Sequence, residues 1–128
     1  MVHDPNAPLP GTVTTLAIVL LIGGAWASFA ALALILSFLV FSVGTLGLGL
    51  LTGPLWVVPI ALWGAAASVA LFQGIALLGR NASYGGLRAA AILLMVCVVA
   101  CDVVSFACGV LSLILLLQRD TKAFFGVP

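Results

Sequence analysis

The stretch 89–118 is apolar for roughly 30 residues, which as an α-helix would be about 45 Å long. A lipid hydrocarbon core of about 30 Å requires less than that. Arg88 stands before the stretch and Arg119 after it, and near its middle sits one ionisable residue, Asp102. Two further apolar stretches cover about 12–43 and 55–79. Without water, backbone N–H and C=O groups must be paired within the fold, so runs of this length point to helices. The chain has 128 residues, 65% hydrophobic and 5% charged, where a soluble domain carries about 25% charged residues. The pattern predicts an all-α integral membrane protein. Three long transmembrane helices would form a compact bundle, with an apolar, Gly-rich link at 44–54 between the first and second. A further break hidden in that link would give four helices.

This organisation divides the chain into a polar tail (1–10), a transmembrane domain (11–118) and a C-terminal tail (119–128). The first tail carries Pro5, Pro8 and Pro10, which favour an extended chain. The last combines Arg119 and Lys122 with Phe124 and Phe125, as an interfacial anchor does. A net charge of +1 gives no basic face for nucleic acid. Cys97, Cys101 and Cys108 all lie in the last apolar stretch and read as small packing residues. No catalytic constellation, phosphate loop or metal cluster stands out, so a non-enzymatic protein without cofactor or metal is expected.

Asp102 is the strongest chemical oddity. A central Asp opposes insertion by about 2.5–3.5 kcal/mol, and each Leu, Ile, Phe or Val favours it by about 0.3–0.6. The surrounding residues, Leu113, Leu115, Leu116 and Leu117 among them, outweigh it. Insertion needs no partner, but a stable resting place for the carboxyl does. On a straight helix Arg88 and Arg119 lie roughly 21 and 25 Å away, too far to pair with it. Counting residues from the ends of each stretch puts Ser28, Ser68 and Asp102 at one level. A small polar cluster of Asp102, Ser68, Ser28 and Ser105 is therefore expected there. Cys97, Cys101, Ser105, Cys108 and Ser112 fall on one helical face beside Asp102, which marks the buried face.

Small residues at four-residue spacing let helices approach closely in lipid. Gly23, Ala27 and Ala31 form one such line, Gly24 and Ser28 a second, Ala66, Ala70 and Gly74 a third, and Gly64 and Ser68 a fourth. Gly24, Gly64, Ala70, Gly74 and Gly109 are the expected packing positions. Trp26 lies too deep for an interfacial belt and should pack between helices. Gln73, inside the second span, should hydrogen-bond across helices. With three full crossings, Arg80 and Arg88 would face one side and Arg119 and Lys122 the other. The positive-inside rule would then not choose an orientation, and insertion both ways round would be permitted.

The segment Gly74-Ile75-Ala76-Leu77-Leu78-Gly79-Arg80, the short loop after it, and the Leu-rich end followed by Thr121-Lys122-Ala123-Phe124-Phe125 resemble small uncharacterised multi-pass bacterial membrane proteins. The resemblance covers roughly the C-terminal half. It implies a compact bundle in a bacterial inner membrane and brings no activity with it. Small multidrug exporters match only in size, since their first-helix acid is not present here. The expected role is an accessory or assembly component packing laterally in a membrane complex, its partners being the bilayer and another membrane protein or a second copy. The competing expectation is a small proton, ion or solute channel or transporter using Asp102.

Overall fold

The computed structural model describes residues 6–128, and every element within them is helical. Of the expected N-terminal tail, positions 1–5, including Pro5, lie outside the described residues. Helix α1 spans Gly11–Gly44 and α2 spans Gly53–Leu78, joined by a 3-10 turn at Leu48–Thr52. Helix α3 covers Tyr84–Val96 and continues as a 3-10 turn, Cys97–Ala100. Helix α4 covers Val103–Leu117, and the short α5 covers Arg119–Phe125. By length and apolar composition two helices could cross a membrane, or three if α4 and α5, bent by 71°, are taken as one span.

Helices α1 and α2 are long antiparallel partners. The Gly-rich link turns the chain, with Gly47 in the left-handed region at φ 89°. At the crossing, a Cβ added to Gly24 would fall 2.8 Å from Leu71 Cγ, and one on Gly74 would fall 3.0 Å from Leu21. Ala70, Ala66 and Ala27 are fully buried in the same seam. Small residues at these positions let the two backbones close up, which strengthens dispersion contacts. Pro59 lies inside α2 without dividing it.

The expected third long helix is instead a hairpin of two short ones. The Tyr84 hydroxyl, at the start of α3, donates to the Leu116 carbonyl near the end of α4 at 3.3 Å. A Cβ on Gly109 of α4 would come within 2.8 Å of the Ala91 carbonyl oxygen and the Met95 nitrogen of α3. On one straight helix Tyr84 and Leu116 would be about 48 Å apart. The reversal occurs at Cys101, which takes the left-handed conformation (φ 61°, ψ 25°), and Asp102, which is extended. Periodicity sees only an unbroken apolar run here, because neither Gly nor Pro marks the turn.

The hairpin packs into the groove between α1 and α2 and covers only part of their length. Gly23 of α1 approaches Cys108, with its hypothetical Cβ 2.9 Å from that side chain. Beyond the hairpin tip, Leu36, Val40, Val43, Leu55 and Val58 are exposed. At the opposite end, Arg80 donates to the Ala7 carbonyl. The Tyr84–Leu116 contact brings Arg88 and α5 to that end as well. All four cationic side chains, Arg80, Arg88, Arg119 and Lys122, therefore sit at one end of the bundle. The even division expected for three crossings does not hold.

Candidate functional site

The hairpin tip holds the most polar buried constellation among the described residues. Cys101 reverses the chain, and Asp102 then begins α4 as its N-cap, its Oδ1 accepting the Ser105 backbone N–H at 3.1 Å. The first amides of a helix have no partner within the helix, and an Asp at the cap supplies one. Oδ2 also accepts the Ser105 hydroxyl at 2.5 Å. Two neighbouring helices complete the set. Trp26 Nε1 of α1 donates to Oδ1 at 3.0 Å, and Trp63 Nε1 of α2 donates to Oδ2 at 2.8 Å.

Each carboxylate oxygen thus receives two hydrogen bonds. Asp102 is 7% exposed and Trp63 9%, whereas Trp26 is 42% exposed, its outer face turned to an apolar groove with Ile22, Phe29 and Val104. Hydrogen bonds to an ionised acceptor in a low-dielectric surrounding are stronger than neutral ones. The carboxylate is sheltered by three elements: its own α4 cap, α1 and α2. Among the described residues no cation takes part in it.

Of the expected polar cluster, the structure joins Ser105 to Asp102 and leaves Ser28 and Ser68 out. Ser28 donates to the Gly24 carbonyl at 2.9 Å, and Ser68 to the Gly64 carbonyl at 2.8 Å, both within their own helices. A serine hydroxyl in a helix can always reach the carbonyl four residues back, so depth alone does not recruit it to a cluster. The residues that do reach the acid are Trp26, expected only as a packing residue, and Trp63, which the sequence reading passed over. A usable signal existed: an indole N–H is donor-only, and buried indoles seek acceptors.

The small-residue positions divide similarly. Gly24, Gly74 and Gly109 each lie where a Cβ would meet a neighbouring helix, and Ala70 is fully buried. Gly64 is a correction, because a Cβ there would meet nothing within 4 Å. Cys97, Ser105, Cys108 and Ser112 are buried as expected, but Cys97 lies on the α3 arm and the other three on α4, so the single helical face is a correction. Cys101 stands at the reversal between the two arms, with a left-handed backbone, and is exposed. Gln73 Oε1 is buried without a hydrogen-bond partner.

Comparison with family models, curated proteins and solved structures finds no match. The site is therefore read from its own geometry. Among the described residues no group of His, Cys, Asp or Glu side chains is arranged to hold a metal ion. The cysteines are free thiols. The arrangement can anchor one helical hairpin to two helices through a single carboxylate.

Proposed function

We propose that this chain is a small integral membrane protein of the cell membrane, non-enzymatic, whose role is to pack laterally as an accessory or assembly component of a larger membrane complex. The observation that carries this reading is the complete set of donors on Asp102, all from its own chain. A carboxylate occupied in this way is a fastening point, with no lone pair directed at a passing ion. The exposed apolar flanks of α1 and α2 beyond the hairpin suit lipid and neighbouring helices. The all-helical architecture, long apolar helices and low charge support a multi-pass arrangement. Solubilisation in mild detergent followed by affinity purification tests the role. A copurifying membrane protein or a stable self-associated species is expected, and a lone monomer would overturn it.

A second reading has one specific observation in its favour. Helices broken near the middle of a bundle, with an acidic side chain at the break, recur at ion sites of transporters, and α3–α4 breaks at Asp102. Under this reading the carboxylate would exchange its indole donors for an ion or proton during a cycle. Proteoliposome flux that Asp102→Asn abolishes while the fold is retained would favour it. Absence of flux in the unaltered protein would remove it.

A further inference from the structure

The charged end of the bundle contains a cavity of about 360 Å³ lined by Tyr84, Arg88, Leu113, Leu116, Leu117, Lys122 and Val127. It lies where α4 ends and α5 turns away by 71°. Among the described residues its lining combines two cations with a wall of leucines and includes no acid. Tyr84 already donates its hydroxyl hydrogen to Leu116, so anion recognition falls to Arg88 and Lys122. Arg88 is exposed, and the Lys122 ammonium donates to the Pro128 oxygen at 3.3 Å, a long contact for a charged donor. The leucine wall runs down α4 towards the apolar part of the bundle, which is the direction an acyl chain takes from its headgroup.

We infer that this cavity is a binding site for an anionic phospholipid, with the headgroup phosphate between Arg88 and Lys122 and the acyl chain along Leu113 and Leu117. The inference rests on the membrane reading above and adds a ligand class to it. A guanidinium supplies a forked pair of donors to phosphate oxygens and an ammonium supplies a point charge. A basic pocket between helices at the membrane boundary is suited to acidic headgroups. The bend at Gln118 separates α5 from α4, which opens the cavity at headgroup level.

The test is native mass spectrometry of the full chain released from detergent micelles, titrated with phosphatidylglycerol or phosphatidylcholine of matched acyl chains. Phosphatidylglycerol should be retained preferentially. Arg88→Gln and Lys122→Gln should each weaken that preference by about fivefold, the effect of one cation near an anionic lipid surface. Arg119→Gln, outside the lining, should leave it intact. Unchanged far-ultraviolet circular dichroism establishes that each variant is folded. Equal retention of the two lipids, or an equal loss with Arg119→Gln, would overturn the inference. Displacement of the lipid by millimolar inorganic phosphate would also overturn it, by assigning the site to free phosphate. Recovery of the protein in the soluble fraction of cells would sink the membrane reading itself. A membrane-bound protein without lipid preference would sink only the present inference.

Discussion

Trp63 Nε1 lies 2.8 Å from Asp102 Oδ2, joining the interior of α2 to the tip of a hairpin 39 residues further along the chain. Trp26 makes the matching bond from α1 to the other carboxylate oxygen. The three elements are thus pinned through one side chain. This bond is short and buried, and its loss strands a lone pair of a carboxylate. Trp63→Phe, which keeps the ring and removes the donor, should therefore destabilise by about 1.5–3 kcal/mol. Trp26→Phe should cost less, because that ring is half-exposed whereas Trp63 is buried. Unfolding of the purified variants in mixed micelles, followed by circular dichroism, measures both. An equal or reversed ranking would contradict the geometry.

Asp102 itself combines two functions, helix cap and acceptor. Asp102→Ala removes the cap, worth about 1 kcal/mol, and leaves two indole donors without acceptors at about 1–3 kcal/mol each. A total loss of about 3 kcal/mol or more is expected in the same unfolding measurement. Asp102→Asn should fall between the two, because asparagine caps as well as aspartate but turns an N–H₂ towards donors. Tryptophan emission should shift as the indoles lose their acceptor. An Asp102→Ala protein as stable as the original would show that the carboxylate does not fasten the hairpin.

Cys101 carries the reversal in a conformation that L residues adopt at a cost of about 1–2 kcal/mol. Cys101→Gly relieves that cost while loosening the unfolded chain, so its net effect on stability should be within about 1 kcal/mol. Cys101→Val adds a β-branch where φ is 61° and should destabilise by about 1–3 kcal/mol. Since Cys101 is exposed, the contrast chiefly reads backbone strain. Thermal unfolding of the two variants side by side decides it, and equal losses would mean that the side chain, not the backbone, matters there.

Much of the bundle was legible in the sequence. The apolar stretches run close to the bounds of α1 and α2, and in the small-residue lines Gly24, Ala70 and Gly74 lie against a neighbouring helix. The third stretch hides its turn because hydrophobicity is blind to chain direction: a hairpin of two short apolar helices and one long helix have the same composition. Asp102 inside an apolar run suggests a burden within a helix, yet its preference for N-caps equally marks a helix start. Depth places Ser28 and Ser68 level with Asp102 but does not say whether a hydroxyl is already satisfied by its own helix, as both are. The two tryptophans followed from the same missing link, since their acceptor was the acid already singled out.

Gly109 and Gly64 look alike in the sequence, yet the structure gives them opposite expectations. At Gly109 a Cβ would press on the Met95 Cγ, the Ala91 carbonyl and the Met95 nitrogen, at 2.7, 2.8 and 2.8 Å. Two of those atoms are backbone and cannot move without separating α3 from α4. Gly109→Ala should cost about 1–3 kcal/mol. Gly64→Ala meets open space and exchanges a poor helix former for the best, so it should stabilise by about 0.5–1 kcal/mol. Opposite signs in one unfolding series would support the hairpin packing, and a neutral Gly109→Ala would argue against it.

The last expectation concerns sidedness, and it follows from the hairpin. Because α3 and α4 turn back at Asp102, the loop after α2, the start of α3 and α5 share one end, where Arg80, Arg88, Arg119 and Lys122 gather. The link between α1 and α2, 45–52, carries no charge. Lys and Arg near membrane ends are retained on the cytoplasmic side, so under the membrane reading that end should be cytoplasmic and the link should face outward. Single cysteines placed at Ser83, Gly126 and Thr45, in a background with Cys97, Cys101 and Cys108 replaced by alanine, can be tested with a membrane-impermeant maleimide. Intact cells should label only the Thr45 position, and inverted vesicles only Ser83 and Gly126. A chain that crossed three times would put Ser83 and Gly126 on opposite sides, and labelling of one without the other in the same preparation would reveal it.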